Sequence, residues 1–402
     1  MTTDLIARAE RLAGFAAQDP DNAALLLDLA ATRHQAGQHG HALAALNRAS
    51  SVEPGLGGLA PLRGQVLLAL GQWDEAQAVF EAALAAEPGS AALLFNTGYS
   101  AWAAGHDLDR AAALMGQASD LDPGDPRLKY FAALAYDEVG APTKARSLLA
   151  QALDIDADHP ESLVYLSRLC LDAGETPEAR ALAERCVASH PDVAAGWQLK
   201  GDIAMFDLDA DAASVHLRRA LELAPDDNDI ALSLAQSALM RGRVREAQTL
   251  LQRVVQRDAT HAQAYSMLGW ALAATAELDA SRDAFSAAAA ADASAAEPLA
   301  GLGSLALAQG RVDEAERHCA AALALEPDNP LTGLLRSRID EVQGHPELAQ
   351  ARMRKALGST PFGASAPNFA AMIERTSHST AAKRLQRRFT RTARARVPRS
   401  PA

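Results

Sequence analysis

Cysteine is nearly missing from the chain, with three in 402 residues at Cys170, Cys186 and Cys319. No two lie in a paired spacing, which argues against a disulfide framework and fits a reducing compartment. Aromatic residues are also scarce, at 4% against 49% hydrophobic residues in which alanine dominates. With few β-branched runs, that balance favours closely packed helices over sheets. Long apolar runs are missing too. The N-terminal stretch MTTDLIARAERLAGFAAQD is broken by Asp4, Arg8, Glu10 and Arg11, leaving no signal-peptide core, and no segment has the length to cross a bilayer. These gaps lead to the expectation of a soluble, cytoplasmic, all-helical protein.

Catalytic and cofactor motifs fail on context. Gly301-Leu-Gly303-Ser-Leu-Ala306 has dinucleotide-loop spacing, but it lies inside a helical pattern with no strand before it. Asp154-Ile-Asp156-Ala-Asp158 begins like a calcium loop, yet His159 replaces the required glycine and Tyr165 the terminal glutamate. The stretch after Pro54 has no Lys-Ser/Thr for a phosphate loop. His34, His39 and His41 gather near one turn without a Cys or carboxylate in ligand spacing. Neither enzymatic activity nor a cofactor is expected, and each cysteine reads as a small buried hydrophobe.

What the chain does have is a repeat. In frames of 34 the starts fall at Ala23, Gly57, Ala91, Pro126, Pro160, Ala194, Asn228, Ala262, Ala296 and Pro330, with one extra residue in the third. Positions 8, 20 and 27 are small in every frame, from Ala30/Ala42/Ala49 to Ser337/Ala349/Ala356, except at Val254. Position 32 is proline in seven frames, among them Pro54, Pro88 and Pro327, where it stops a helix from continuing. Ala296 to Asn329 is the clearest copy. It holds two apolar-periodic segments, Pro298–Gln309 and Val312–Leu325, with Gly310 between them as a stop and Asp313 as a cap for the second.

This pattern resembles the tetratricopeptide repeat family, whose signature is a 34-residue helix–turn–helix unit. Large family positions are present at Trp197, Tyr265, Tyr136, Phe80 and Phe285. The resemblance implies an all-α, right-handed solenoid of ten hairpins over residues 23–363, preceded by a half-repeat cap at 1–22. Leu208 and Ala276 stand where the turn glycine is usual, so repeats six and eight are expected to be less regular. Phe369, Met372 and Ile373 give residues 364–378 the pattern of a closing helix, and residues 379–402 form a basic tail with little to bury.

Charge is split along the chain. Residues 364–402 contain nine basic side chains against Glu374, a balance of +8, so the preceding residues carry −20 of the net −12. The run Lys383, Arg384, Arg387, Arg388, Arg391 and Arg394 has three readings: a solubilising end, a contact for an anionic partner such as nucleic acid, or a segment that pairs with the chain's own acidic body.

The resemblance also implies a binding surface on the first helix of each repeat. Positions 4, 7, 8 and 11 pack, and the stripe at 2, 5, 9 and 12 faces the other way. In repeats three to five this face carries Phe95, Tyr99, Trp102, Arg127, Tyr130 and Arg168, with Phe131 and Tyr165 beside it. Exposed aromatics flanked by charge make anchors for a protein segment. A sparser continuation runs through Gln198, Asp202, Met205, Gln236 and Trp270. The carboxylate-gripping pattern of some family members maps onto Pro61, Gln65, Asn96, Arg127 and Phe131, of which only Asn96 and Arg127 suit the task. The expected function is a non-catalytic scaffold binding a protein or peptide in the groove. The alternatives are a substrate-recruiting partner of a separate transferase or a nucleic-acid-associated adaptor acting through the tail.

Overall fold

The structure, a computed structural model, describes residues 2–358. The expected closing helix at 364–378 and the basic run from Lys383 to Arg394 lie outside the described residues. Within them every regular element is an α-helix. The chain forms two compact units, one ending at Ser189 and the other starting at His190.

The first unit opens with α1 (Thr2–Gln18), then α2 (Ala23–Gln35) and α3 (His39–Val52), α4 (Leu59–Ala69) and α5 (Trp73–Ala86), and α6 (Ala91–Ala103) and α7 (Leu108–Leu121). It continues with α8 (Pro126–Glu138) and α9 (Pro142–Ile155), and α10 (Pro160–Asp172) and α11 (Thr176–Ser189). The second unit holds α12 (Ala194–Phe206) and α13 (Ala210–Leu223), α14 (Asn228–Met240) and α15 (Val244–Arg257), and α16 (Ala262–Ala274) and α17 (Leu278–Ala291). Its last hairpins are α18 (Ala296–Ala308) with α19 (Val312–Leu325) and α20 (Pro330–Val342) with α21 (Pro346–Gly358). Within each pair the two helices pack on each other, and in each unit successive pairs stack in chain order.

The small positions explain the hairpins. A Cβ on Gly98 would come within 2.9 Å of the Ala111 carbonyl oxygen and of Met115 Cγ, so the backbones of α6 and α7 meet there. Where serine stands at such a contact, its hydroxyl bridges it. Ser167 Oγ donates to the Ala179 carbonyl at 2.6 Å, Ser281 Oγ to Gly269 at 2.7 Å and Ser337 Oγ to Ala349 at 2.7 Å. These pairs are positions 8 and 20 of one repeat. Val254, larger than the pattern asks, is fully buried in the second unit's core with Leu217, Leu251 and Leu268. All three cysteines are buried.

Turn chemistry is uniform. After α18 the Gly310 N–H bonds the Leu307 carbonyl and the Arg311 N–H reaches Ala306, the pairing of a Schellman stop. Leu208 and Ala276 make the same bonds, to Met205 and Ala273, each at φ 65°. Repeats six and eight are therefore regular in backbone, contrary to the sequence expectation. The departure is local strain, because an L-residue in the left-handed region costs about 1–2 kcal/mol. Asp313 also differs from expectation. Arg311 occupies the cap position of α19 without a side-chain bond to the helix's first N–H groups, and Asp313 lies in the first turn, where its charge favours the helix dipole. Side-chain caps do form elsewhere, at Asn22, Ser90, Asp125, His159, Asp227, His261 and Asn329.

Candidate functional site

The aromatic residues of repeats three to five lie on α6, α8 and α10, and helical spacing puts each group on one face. Phe95, Tyr99 and Trp102 follow one another on α6, with Phe95 stacked on Tyr99 at 5.8 Å between ring centroids and Tyr99 tilted against Trp102 at 5.7 Å. Phe131 of α8 meets both Phe95 and Tyr99 edge-on, at 5.4 and 5.7 Å. Its neighbour Tyr130 meets Phe131 at 5.2 Å and Tyr165 of α10 at 6.2 Å, the latter perpendicular. Six rings from three successive first helices thus form one connected cluster. Each is half-buried, so the rings pack side by side and still keep surface toward solvent. Packing against the next repeat and facing the solvent are both true of them.

Polar tips are fixed from the neighbouring repeat. Trp102 Nε1–H donates to the Glu138 carboxylate, and the Tyr165 hydroxyl donates to Asp137 Oδ2 at 2.7 Å. Burial and that acidic partner push the Tyr165 phenol up to about 12. Burial, with Glu161 nearby, also raises Tyr130. Arg168 lies over the Tyr165 ring with its guanidinium carbon 4.3 Å from the centroid, a cation–π contact. Arg127 is held by Asp125 through two bonds, Nε to Oδ1 at 3.2 Å and Nη2 to Oδ2 at 2.8 Å. That fork holds the Asp125 carboxyl below its ordinary range and raises the guanidinium. Neither Asp137 nor Glu138 has a basic partner among the described residues.

Sequence spacing finds the rings and misses their carboxylate partner Glu138, which stands one position beyond the stripe. A polar residue closing a first helix, facing an indole one repeat back, is the signal that was available. Of the carboxylate-gripping pair, Arg127 is already committed to Asp125.

The second stripe is less concentrated. Gln198, Asp202 and Met205 of α12 are half-buried, and Gln236 of α14 is exposed. Asp202 is pushed up to about 6 by burial, against a hydrogen bond from Ser233 that lowers it. Trp270 spends one ring edge on fully buried Phe285, at 5.0 Å, and its N–H on Glu297 Oε1 at 3.1 Å. Burial, opposed by the Trp270 bond, raises that glutamate. Position 5 is not open as the stripe implied: Leu232 and Ala300 are buried, because in this unit the first helices of adjoining pairs pack on one another.

One cluster unseen in the sequence joins Cys170, Glu175 and Glu178, whose ligand-type atoms lie within 4.8 Å of one another. It already contains a cation. Arg146 bonds Glu175 and approaches Cys170 Sγ at 3.6 Å. Burial raises the Cys170 thiol to about 11, disfavouring the thiolate that binds metal. At the first turn His34 Nδ1 lies 3.1 Å from His39 Nδ1, and burial followed by His39 lowers His34.

Family models agree with this geometry. Tetratricopeptide repeat models match residues 62–126, 103–160, 138–203 and 299–331, and the model described as the cytochrome c-type biogenesis protein H TPR domain matches 181–298. No curated protein matches the chain in sequence. Among solved structures, the human IFIT1 dimer with m7Gppp-AAAA aligns at TM-score 0.51 and 15% identity, over 84% of this chain and 90% of that one. The APC/C hetero-tetramer Cut9-Hcn1 aligns at TM-score 0.48 and 17% identity, over 83% of this chain, which spans 59% of that one. YrrB, described as a TPR protein with an unusual peptide-binding site, aligns at TM-score 0.39 and 18% identity, over 46% of this chain and 95% of that one. At these identities the likeness is one of fold.

Proposed function

The chain belongs to the tetratricopeptide repeat family, and from that premise we propose that it is a non-catalytic scaffold that docks a protein segment on the aromatic face of α6, α8 and α10. The carrying observation is the connected cluster of six half-buried rings from Phe95 to Tyr165, with Arg127 and Arg168 at its borders. Rings with limited rotamer freedom and partly exposed faces bind at low entropic cost, which is why such residues dominate interface energetics. Gln198, Asp202, Met205, Gln236 and Trp270 form a secondary surface of the second unit, with fewer anchors.

The test is a crosslinking pull-down from native lysate comparing the wild type with Tyr99→Ala/Trp102→Ala, the unfolding midpoint of both being recorded. Specific partners lost from a folded double variant support the reading; an identical partner list defeats it. The runs of charge support a second contact, in which Lys383, Arg384, Arg387, Arg388, Arg391 and Arg394 attach the scaffold to an anionic partner. Salt-dependent retention on RNA or DNA, lost when these residues are neutralised, is its signature.

A further inference from the structure

The structure assigns a charge to the docked segment: we infer that the aromatic face of α6, α8 and α10 takes a cationic peptide, one whose arginine or lysine side chains stack on the rings and pair with Asp137 and Glu138. This rests on the reading that the face is the docking surface, and it adds the chemical class of the partner.

Three observations converge. First, the basic side chains of the face already have partners: Arg127 gives two of its N–H groups to both oxygens of Asp125, and Arg168 covers the Tyr165 ring. An anionic segment approaching Arg127 would meet the Asp125 carboxylate beside it, which offsets the guanidinium charge. Second, the carboxylates are only half used. Asp137 accepts one hydrogen bond, from Tyr165, and Glu138 one, from Trp102. An ionised carboxylate offers about four acceptor sites, and neither of these two has a basic partner among the described residues. Third, each carboxylate stands beside a ring. A guanidinium is planar, so it can lie on an aromatic face while its N–H groups reach a carboxylate at the ring edge. Arg168 stacked on Tyr165 shows the first half of this arrangement in the chain's own residues, and Asp137, bonded to that tyrosine's hydroxyl, stands at the ring edge. The −20 balance of the residues before 364 supplies the wider field that draws a cation in.

The experiment uses the full chain and three fluorescent peptides of equal length. One repeats Arg-Ala-Leu-Arg, and in the others glutamine or glutamate replaces arginine. Fluorescence anisotropy is followed at about 0.05 and about 0.5 M salt, a range over which screening shortens from beyond 10 Å to a few ångströms. The arginine peptide is expected to bind at least tenfold more tightly than the glutamine peptide, and the glutamate peptide weakest of all. Asp137→Asn/Glu138→Gln should cost the arginine peptide at least tenfold, as should high salt.

Equal binding of arginine and glutamine peptides, lost in Tyr99→Ala/Trp102→Ala, would overturn the cationic assignment and leave the docking face standing. Arginine-peptide binding insensitive to both double variants would overturn both, leaving unspecific attraction to an acidic body. No binding by any peptide, to the wild type or to a chain with Arg387→Gln, Arg388→Gln and Arg391→Gln, would overturn the cationic assignment. A chain with Arg387→Gln, Arg388→Gln and Arg391→Gln covers the remaining occupant. If the arginine peptide binds only then, the chain's own basic run fills the face, and an external partner is overturned.

Discussion

Repeat nine, Ala296 to Asn329, and repeats three to five are built to one plan and present different faces. At the hairpin contact the two are the same. A Cβ on Gly303 would come within 3.3 Å of the Ala315 carbonyl, as one on Gly98 would approach Ala111 at 2.9 Å. On the solvent-side stripe they diverge. Repeat nine offers Glu297, which is tied to Trp270, then Ala300, which is buried, and Ser304, whose hydroxyl turns back to the Ala300 carbonyl. Repeats three to five offer six rings and two carboxylates without basic partners among the described residues. Fold and recognition are therefore written on different positions of the same 34-residue unit. The most regular copy says the most about the first and the least about the second.

The largest test of that comparison is energetic. Tyr130 touches Phe131, His159 and Tyr165, so Tyr130→Ala is expected to weaken binding of a captured partner by at least thirtyfold, about 2 kcal/mol. Gln236→Ala, an exposed position on α14, should change it less than about threefold. Titration of both variants with the same partner reads the difference, and equal losses would erase the contrast between the two faces.

Packing should respond alike in the two regions. Gly98→Val forces a side chain against the Ala111 carbonyl and Gly303→Val forces one against the Leu335 side chain and towards the Ala315 carbonyl, each with an expected loss of about 1–3 kcal/mol. Denaturant unfolding of each variant measures it. Tolerance at one site and not the other would show that the two repeats are not packed by one rule.

Asp202 separates the second stripe from the first by pH. The carboxyl titrates near 3.8 when unfolded and near 6 when folded. Between those values the folded state holds more proton, so stability falls as pH rises through the window and stays lower above it. Asp202→Asn should remove that slope and gain on the order of 3 kcal/mol at pH 8, read as the unfolding midpoint at pH 4 and pH 8. A wild-type midpoint unaffected by this pH range would contradict the burial of that carboxylate.

The smallest effect lies at the turns. Leu208→Gly and Ala276→Gly should each stabilise by about 1 kcal/mol, the left-handed strain less the entropy of the added glycine. Destabilisation at either turn would mean that its side chain contributes more by contact than its backbone loses.

The fold was legible because close helix approach tolerates only small residues, and that demand recurs in every frame, as Ala30, Ala133 and Gly303 illustrate. The turns at Leu208 and Ala276 were misjudged for a physical reason. Two Schellman hydrogen bonds hold the left-handed residue in place, so the backbone stays regular and the mismatch becomes strain. At the candidate site helical spacing identified Tyr99, Trp102 and Tyr130 as sharing a face. It could not pair Trp102 with Glu138 or Tyr165 with Asp137, because those contacts depend on how one repeat is offset against the next. Periodicity within a repeat carries no record of that offset. Burial of Leu232 and Ala300 on a nominally open stripe has the same origin.

One measurement reaches the central claim most directly. A photoreactive phenylalanine analogue is placed in turn at Arg127 and at Gln236, both exposed and both on first-helix faces, and crosslinked products from native lysate are compared. The account predicts a specific crosslinked partner from position 127, abolished by Trp102→Ala, and little or none from position 236. The same partner crosslinking equally from both positions, or from 236 alone, would contradict it.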